Sequence, residues 1–514
     1  MAESRLQKSI LNARVGLFFY FLTLILSFFS RKIFLDCLGA DFIGLTGTLQ
    51  NILGILNLAE LGIGTCISFF LFKPIQERNK DQIMEIMSVF GYLYRKIGIV
   101  IGIGGAVASI SFPFIFRNTM FNMGIIYFAF ASYLGSSLIG YFINYRQILL
   151  SADQKNYVVS AYIQTTGIIK TIIQIVLVYT YKNLYLWIAV EFLFGIIICI
   201  VLNRKIDKEY PWLKTNKNEG KILLKKYPEI LINTKQVFVH QIKDFLLSKS
   251  DEIMIFAFVS LKMVAFYGNY TMIINKLITM INTALDGVNA GVGNLVAEGN
   301  KKNTIKVFWE LMSIRYFIAG TMVFSLYQLM DPFVTLWLGE KYQLDHTILI
   351  LLLINLFIMQ TRGAVDIFNH SHGLYADTWA AWTEGIINIV VTLATATQWG
   401  VIGILFGKIT SICFIIVLWK PYYLFTQGLK VPIRIYWAGT IRYYIVFIIS
   451  FTAITIAAKF LPFHPKESIQ QLLIYGTCTV IPFTLFYFIL LLVTTPGMMD
   501  AIKRAPIFYK IFKS

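Results

Sequence analysis

Fourteen apolar runs, most of them near 20 residues long, follow one another along this 514-residue chain. The hydrocarbon core of a bilayer is about 30 Å thick and takes about 20 helical residues to cross. Inside it the backbone must satisfy its own hydrogen bonds, which leaves only helices or a closed barrel. Barrel strands are about ten residues long and alternate polar with apolar positions, whereas these runs are long and continuous. The sequence therefore predicts an all-α polytopic membrane protein of about 14 transmembrane helices. Their cores fall near 15–30, 44–71, 91–115, 123–144, 158–180, 184–201, 234–259, 264–295, 313–336, 347–368, 379–397, 400–419, 438–460 and 470–493. Composition agrees: 14% of residues are charged, against about 25% in soluble proteins.

A net charge of +18 would suit a nucleic-acid partner, but its distribution gives a different reading. With the N-terminus in the cytoplasm, the inner connections hold 30 Lys and Arg and the outer ones hold 8. Cytoplasmic loops of membrane proteins carry this excess. Both termini are expected in the cytoplasm, in a multi-pass protein of the cell (inner or plasma) membrane, with no nucleic-acid partner. The opening MAESRLQKSILNAR runs straight into VGLFFYFLTLILSFF without a small-residue cleavage pattern, which predicts an uncleaved first span. Cys37, Cys66, Cys199, Cys413 and Cys478 are scattered and form no disulfide framework.

The longest polar stretch, Asn203 to Gln236, carries nine basic residues and reads as a solvated cytoplasmic linker. It divides the chain into an N-terminal six-helix lobe (1–202), a basic linker (203–233), a C-terminal six-helix lobe (234–419) and two additional helices with a basic tail (420–514). A weak repeat relates the lobes: an offset of 225 superposes Gln50 on Asn275 and Asn57 on Asn282. With six spans in each half, corresponding helices run the same way, which makes the repeat parallel.

At 100° per residue, several spans carry a polar stripe. Span 8 aligns Asn275, Thr279, Asn282, Asp286, Asn289 and Gly293; span 2 aligns Thr46, Gln50, Asn57, Gly64 and Ser68, with Glu60 at the edge. Span 5 aligns Ser160, Gln164, Gly167, Thr171 and Gln174 beside Lys170; span 10 shows Asn355, Arg362, Asp366 and Asn369; span 11 shows Glu384, Asn388, Thr392 and Thr395. On span 7, Gln236, His240, Lys243, Asp244 and Asp251 share one face, while Lys249 and Glu252 are three apart and expected to pair. Stripes of this length point to a hydrated cavity, because lipid supplies no partners for them. Gly98 and Gly102 have the spacing of a close helix contact. His370 and His372 lack the further ligands of a metal site, and Arg362 with Asp366 reads as an ion pair.

Two segments, LGADFIGLTGTLQNILGILNLAELGIGTCISFFLFKPIQERNKDQI (Leu38 to Ile83) and LLSKSDEIMIFAFVSLKMVAFYGNYTMI (Leu246 to Ile273), carry a family likeness. The chain resembles the polysaccharide (O-antigen type) lipid-linked oligosaccharide flippases of the multidrug/oligosaccharidyl-lipid/polysaccharide (MOP) exporter superfamily. That resemblance implies two six-helix lobes alternating between inward-open and outward-open forms. Between them a cavity would receive a glycan on a polyprenyl-pyrophosphate carrier. Lys170, Lys243, Lys276 and Arg362, on or beside the stripes, are then expected at the head-group phosphates. Gln50, Asn57, Gln164, Gln174, Asn275, Asn282, Asn289, Asn355 and Asn388 are expected along the sugar path. Glu60, Asp251 and Asp286 are the candidates for coupling to H⁺ or Na⁺, and polysaccharide polymerase machinery is a candidate partner. Charges within or bordering the spans number seven basic and nine acidic, which leaves a multidrug/organic-cation antiporter of the MATE type as the alternative. No cofactor is expected. No nucleophile–base constellation and no sizeable outer loop suggest an enzyme.

Overall fold

Asparagine, aspartate and serine side chains mark where the membrane helices begin. The first N–H groups of a helix have no partner within it, and a short side-chain acceptor one position ahead supplies one. Asn79 Oδ1 accepts from the Gln82 N–H, Asn122 from Ile125, Asn183 from Leu186, Asn300 from Asn303, Asp345 from Thr347, and Ser468 Oγ from Gln471. The computed structural model describes residues 5–60, 63–216, 219–231, 234, 250–285, 292–293, 295–296, 298–374 and 377–504. The helices used below are α1 Arg5–Leu38, α2 Ala40–Leu56, α3 Ile63–Glu77, α4 Lys80–Ile110, α5 Met123–Phe142, α6 Asn156–Tyr181 and α7 Leu184–Glu209. They continue as α8 Leu261–Leu285, α9 Lys301–Leu338, α10 His346–Thr361, α11 Gly363–Ser371, α12 Thr378–Trp399, α13 Val401–Ile412, α14 Ile433–Ala458 and α15 Ile469–Thr494.

Among the described residues, eleven helices are long and apolar enough to cross a membrane, and the chain is a multi-pass membrane protein. Three of the expected 14 spans are not among those eleven. The run at 44–71 is broken into α2, a 3₁₀ turn at Asn57–Glu60 and α3. Most of 234–259 lies outside the described residues. The third is α8, which forms over 25 residues but carries the polar stripe.

The chain divides into two compact units, Met1–Ala265 and Phe266–Ser514. In the first, Ile67 and Leu71 of α3, Met87 and Phe90 of α4, Leu150, and Leu202 and Ile206 of α7 form a continuous core. Ile99, Val100, Ile103, Val107 and Ile110 of α4 stay exposed at helical spacing, the lipid-facing pattern of a membrane helix. A Cβ on Gly44 would overlap the backbone carbonyl of Leu261, so α2 can cross that chain only with glycine there. Within the segment expected as a linker, most described basic side chains are exposed while a few apolar ones pack inward. Residues 203–209 continue α7, and Tyr210, Leu213 and Ile230 are buried in the core. Lys226 Nζ lies 2.7 Å from Glu85, which also accepts from the Tyr227 hydroxyl at 2.5 Å. Burial and the adjacent carboxylate push the Tyr227 phenol up to about 12.

In the second unit α14 and α15 are fastened to α9 by aromatic and hydroxyl contacts. The Phe324 and Phe483 rings stack at 3.9 Å, and Tyr316 stacks on Tyr443 at 4.8 Å. The Tyr487 hydroxyl donates to the Tyr316 carbonyl at 3.0 Å, and Ser313 Oγ meets the Tyr443 hydroxyl at 2.7 Å. The last two spans are thus an integral part of this unit's core.

Candidate functional site

The break in the second span creates a polar site in the first unit. Where the regular helix lapses at Asn57–Glu60, the Glu60 side chain reaches α4 and α5. The Tyr94 hydroxyl donates to Oε1 and the Tyr141 hydroxyl to Oε2. Asn57 Oδ1 accepts from Ser137 Oγ at 3.2 Å. These groups line a cavity of about 780 Å³, with Ser136, Asn144 and Gln147 among its other polar walls and Phe69, Phe72 and Phe90 among its aromatic ones. Ser136 Oγ and Gln147 Oε1 are buried and take no protein hydrogen bond. Next to Asn144, Arg146 clasps Asn203 Oδ1 at 3.1 and 2.7 Å and Asp207 at 2.6 Å, while Asn203 donates to Asn144 at 2.8 Å. A smaller pocket of about 690 Å³ is bounded by Asp41 and Thr48 of α2, Asn118, Thr119 and Ser260.

Lys170 lies in an ion pair. Its Nζ is 2.6 Å from Glu191 Oε1 on α7, and buried Gln174 donates to Glu191 Oε2 and to the Trp187 carbonyl, each at 3.1 Å. Gln164 is half-buried on the same helix, and Gln50 is exposed on α2. Asp251 is buried, at 4% exposure. Beside it Glu252 accepts from Asn51 Nδ2 at 2.5 Å; its expected partner Lys249 lies outside the described residues. Lys243, Asp286 and Asn289 also lie outside them.

In the second unit Asn275, Thr279 and Asn282 of α8 are exposed, with Lys276 half-buried beside them. An accessible amide and hydroxyl face on a membrane helix calls for water or a polar ligand. Arg362 Nε and Asp366 Oδ2 pair at 3.0 Å. Asn355 Oδ1 and Gln360 Oε1 are buried without a hydrogen-bond partner on α10. Asn388 is buried and accepts from Thr392 at 3.3 Å, and Glu384 is fully buried one turn before it. That stripe faces α13, where a Cβ on Gly407 would overlap Thr392.

Sequence reasoning gave Glu60 a place at the edge of a stripe but missed Tyr94 and Tyr141, which hold it. Nothing in their spacing connects them to Glu60; the link exists only once α4 and α5 are side by side. It also missed Asp331, which accepts from Tyr270 at 2.9 Å and lies 3.2 Å from His346 Nδ1.

No family model and no curated protein matches the chain. Its fold is similar to that of two solved transporter structures. One is the lipid II flippase MurJ in an inward closed conformation. It superposes with a TM-score of 0.66 over 94% of this chain and 100% of its own, at 14% identity. The other is an inward-facing multidrug resistance MATE family transporter of the MOP superfamily, with a TM-score of 0.54 over 79% of this chain and 95% of its own, also at 14% identity.

Proposed function

We propose that this protein is an alternating-access flippase. It moves polyprenyl-pyrophosphate-linked oligosaccharide across the inner membrane for surface polysaccharide assembly (O-antigen, capsule or exopolysaccharide), with both termini in the cytoplasm. The observation that carries the reading is coverage: the likeness to a lipid II flippase runs over 94% of this chain, against 79% for the multidrug transporter. The accessible face of α8 supports it chemically. Sugar hydroxyls both donate and accept, and the amides of Asn275 and Asn282 and the hydroxyl of Thr279 answer in kind. Lys276 beside them offers a point charge to phosphate. The lipid tail stays in the bilayer while the head group crosses. Asp251, Asp286 and Glu60 are the carboxylates through which H⁺ or Na⁺ would drive the cycle, and polymerase machinery would take the product.

Native mass spectrometry of the full-length protein tests the ligand class. It should retain a polyprenyl-pyrophosphate oligosaccharide in preference to the polyprenyl monophosphate without sugar. Lys276→Ala should weaken that retention about tenfold, the loss of one charge-assisted contact. Equal retention of both lipids, or wild-type retention by the variant, would count against the assignment.

A further inference from the structure

One face of α4 meets three kinds of neighbour in order. Ser88 and Tyr92 lie under the short helix Gly220–Lys226, where a Cβ on Gly220 would come within 2.5 Å of Tyr92 Cβ and 2.6 Å of the Ser88 carbonyl oxygen. Arg95 and Lys96 follow one turn later and are exposed. Ile99 and Ile103, the start of the exposed apolar stripe, come next. At 100° per residue these six side chains fall within about 100° of one another. At 1.5 Å per residue the two cations stand about 5 Å from Ile99, and the contact with the short helix about 10 Å from it. A head-group layer is about 5–8 Å deep on each side of the hydrocarbon. The short helix therefore roofs the head-group layer beside this face.

The roof is fixed at both ends. The Asn216 N–H donates to Ser88 Oγ at 3.0 Å, and Lys226 pairs with Glu85 at 2.7 Å. Between these ties Lys221 and Lys225 are exposed and, four residues apart, share a side of the short helix. Lys96 Nζ lies 5.9 Å from the centre of the Tyr92 ring, which turns it toward the roof and away from the apolar stripe. The nearby carboxylates are already engaged: Glu85 holds Lys226 and Tyr227, and Glu219 accepts from Asn216 Nδ2 at 2.6 Å. Among the described residues Arg95, Lys96, Lys221 and Lys225 make no ion pair. Four cations without a protein counter-charge, at head-group depth and next to lipid-facing side chains, fit a phosphate carried on a lipid. We propose that this face of the first unit binds an anionic phospholipid. Its phosphate sits between Arg95 and Lys96 on α4 and Lys221 and Lys225 on the short helix, and an acyl chain lies along Ile99 and Ile103. The site lies wholly within the first unit and stands apart from the saccharide reading.

The test is fluorescence anisotropy of acyl-chain-labelled phosphatidylglycerol titrated into the full-length protein in a non-ionic detergent, with phosphatidylcholine carrying the same label as reference. Saturable binding of phosphatidylglycerol, at least tenfold tighter than of phosphatidylcholine, is expected. Each cation removed should cost about fivefold, so Lys221→Gln/Lys225→Gln and Arg95→Gln/Lys96→Gln should each weaken binding at least tenfold. Lys221 and Lys225 are exposed on the roof, so their variant keeps the proposal testable if the α4 variant fails to fold. Lys208→Gln/Lys214→Gln removes the same charge from exposed positions of the same segment outside the site and should bind as the wild type does. Excess glycerol phosphate should leave the complex intact, because the acyl chain also holds the lipid. Equal binding of the two lipids, undiminished binding in Lys221→Gln/Lys225→Gln, an equal loss in Lys208→Gln/Lys214→Gln, or displacement by glycerol phosphate would overturn the proposal.

Discussion

Lys170 and Glu191 face each other across α6 and α7 at 2.6 Å, with side chains 25% and 21% exposed. Removing one partner of such a pair strands the other charge, whereas removing both leaves an apolar contact of similar volume. Lys170→Met should therefore lower the melting temperature in detergent more than the double variant Lys170→Met/Glu191→Met does. A double variant less stable than the single one would show that the pair itself stabilises the helices. Helical periodicity assigned Lys170 to the edge of its stripe without help from the structure. It could not assign Glu191 as partner, because that depends on which helix packs alongside. The same holds for Glu60 with its two tyrosines and for Glu252 with Asn51. Side-chain position around one helix is legible in one dimension; its partner is a property of two helices.

Among the elements, the α4–α5 contact offers a sharp comparison. A Cβ on Gly98 would lie 2.9 Å from the Phe142 ring and 3.2 Å from Tyr141 Cβ, while one on Gly102 would meet the Leu138 methyls at 3.7 Å. Gly98→Ala should cost about 1–3 kcal/mol through overpacking. Gly102→Ala should be neutral or stabilising, since alanine favours a helix by about 1 kcal/mol over glycine. Melting of the two variants side by side checks this, and a reversed order would contradict the packing described. The broken second span was less legible, because a hydropathy run does not register a turn that stays apolar; LNLAELGIG is still mostly apolar through the break. The segment after α7 was legible in part. Its nine basic residues suggested solvent, and Arg204, Lys208, Lys214, Lys221, Lys225 and Lys226 are exposed; that Ile230 and Leu213 anchor the segment to the first unit's core depends on the helices beneath them. Ile230→Ala should cost roughly 2–5 kcal/mol and speed trypsin cleavage after the exposed Lys225 and Lys226. An unchanged digestion pattern would mean that the anchor carries little.

For the molecule as a whole, apolar run length alone was enough to predict an all-helical, multi-pass chain. Backbone hydrogen bonding in lipid leaves few other solutions, and the two solved structures that share the architecture do so at 14% identity. In the proposed function, cargo is set by a handful of side chains such as Asn275, Asn282 and Lys276, and so it is much less tightly written into such a pattern. The most direct measurement is therefore transport itself. Full-length protein in liposomes is supplied with a polyprenyl-pyrophosphate oligosaccharide in one leaflet, and its appearance in the other is followed, with ethidium efflux run in parallel. The account predicts that the glycan crosses and ethidium does not. Ethidium efflux without glycan movement would contradict it and make the protein a cation exporter.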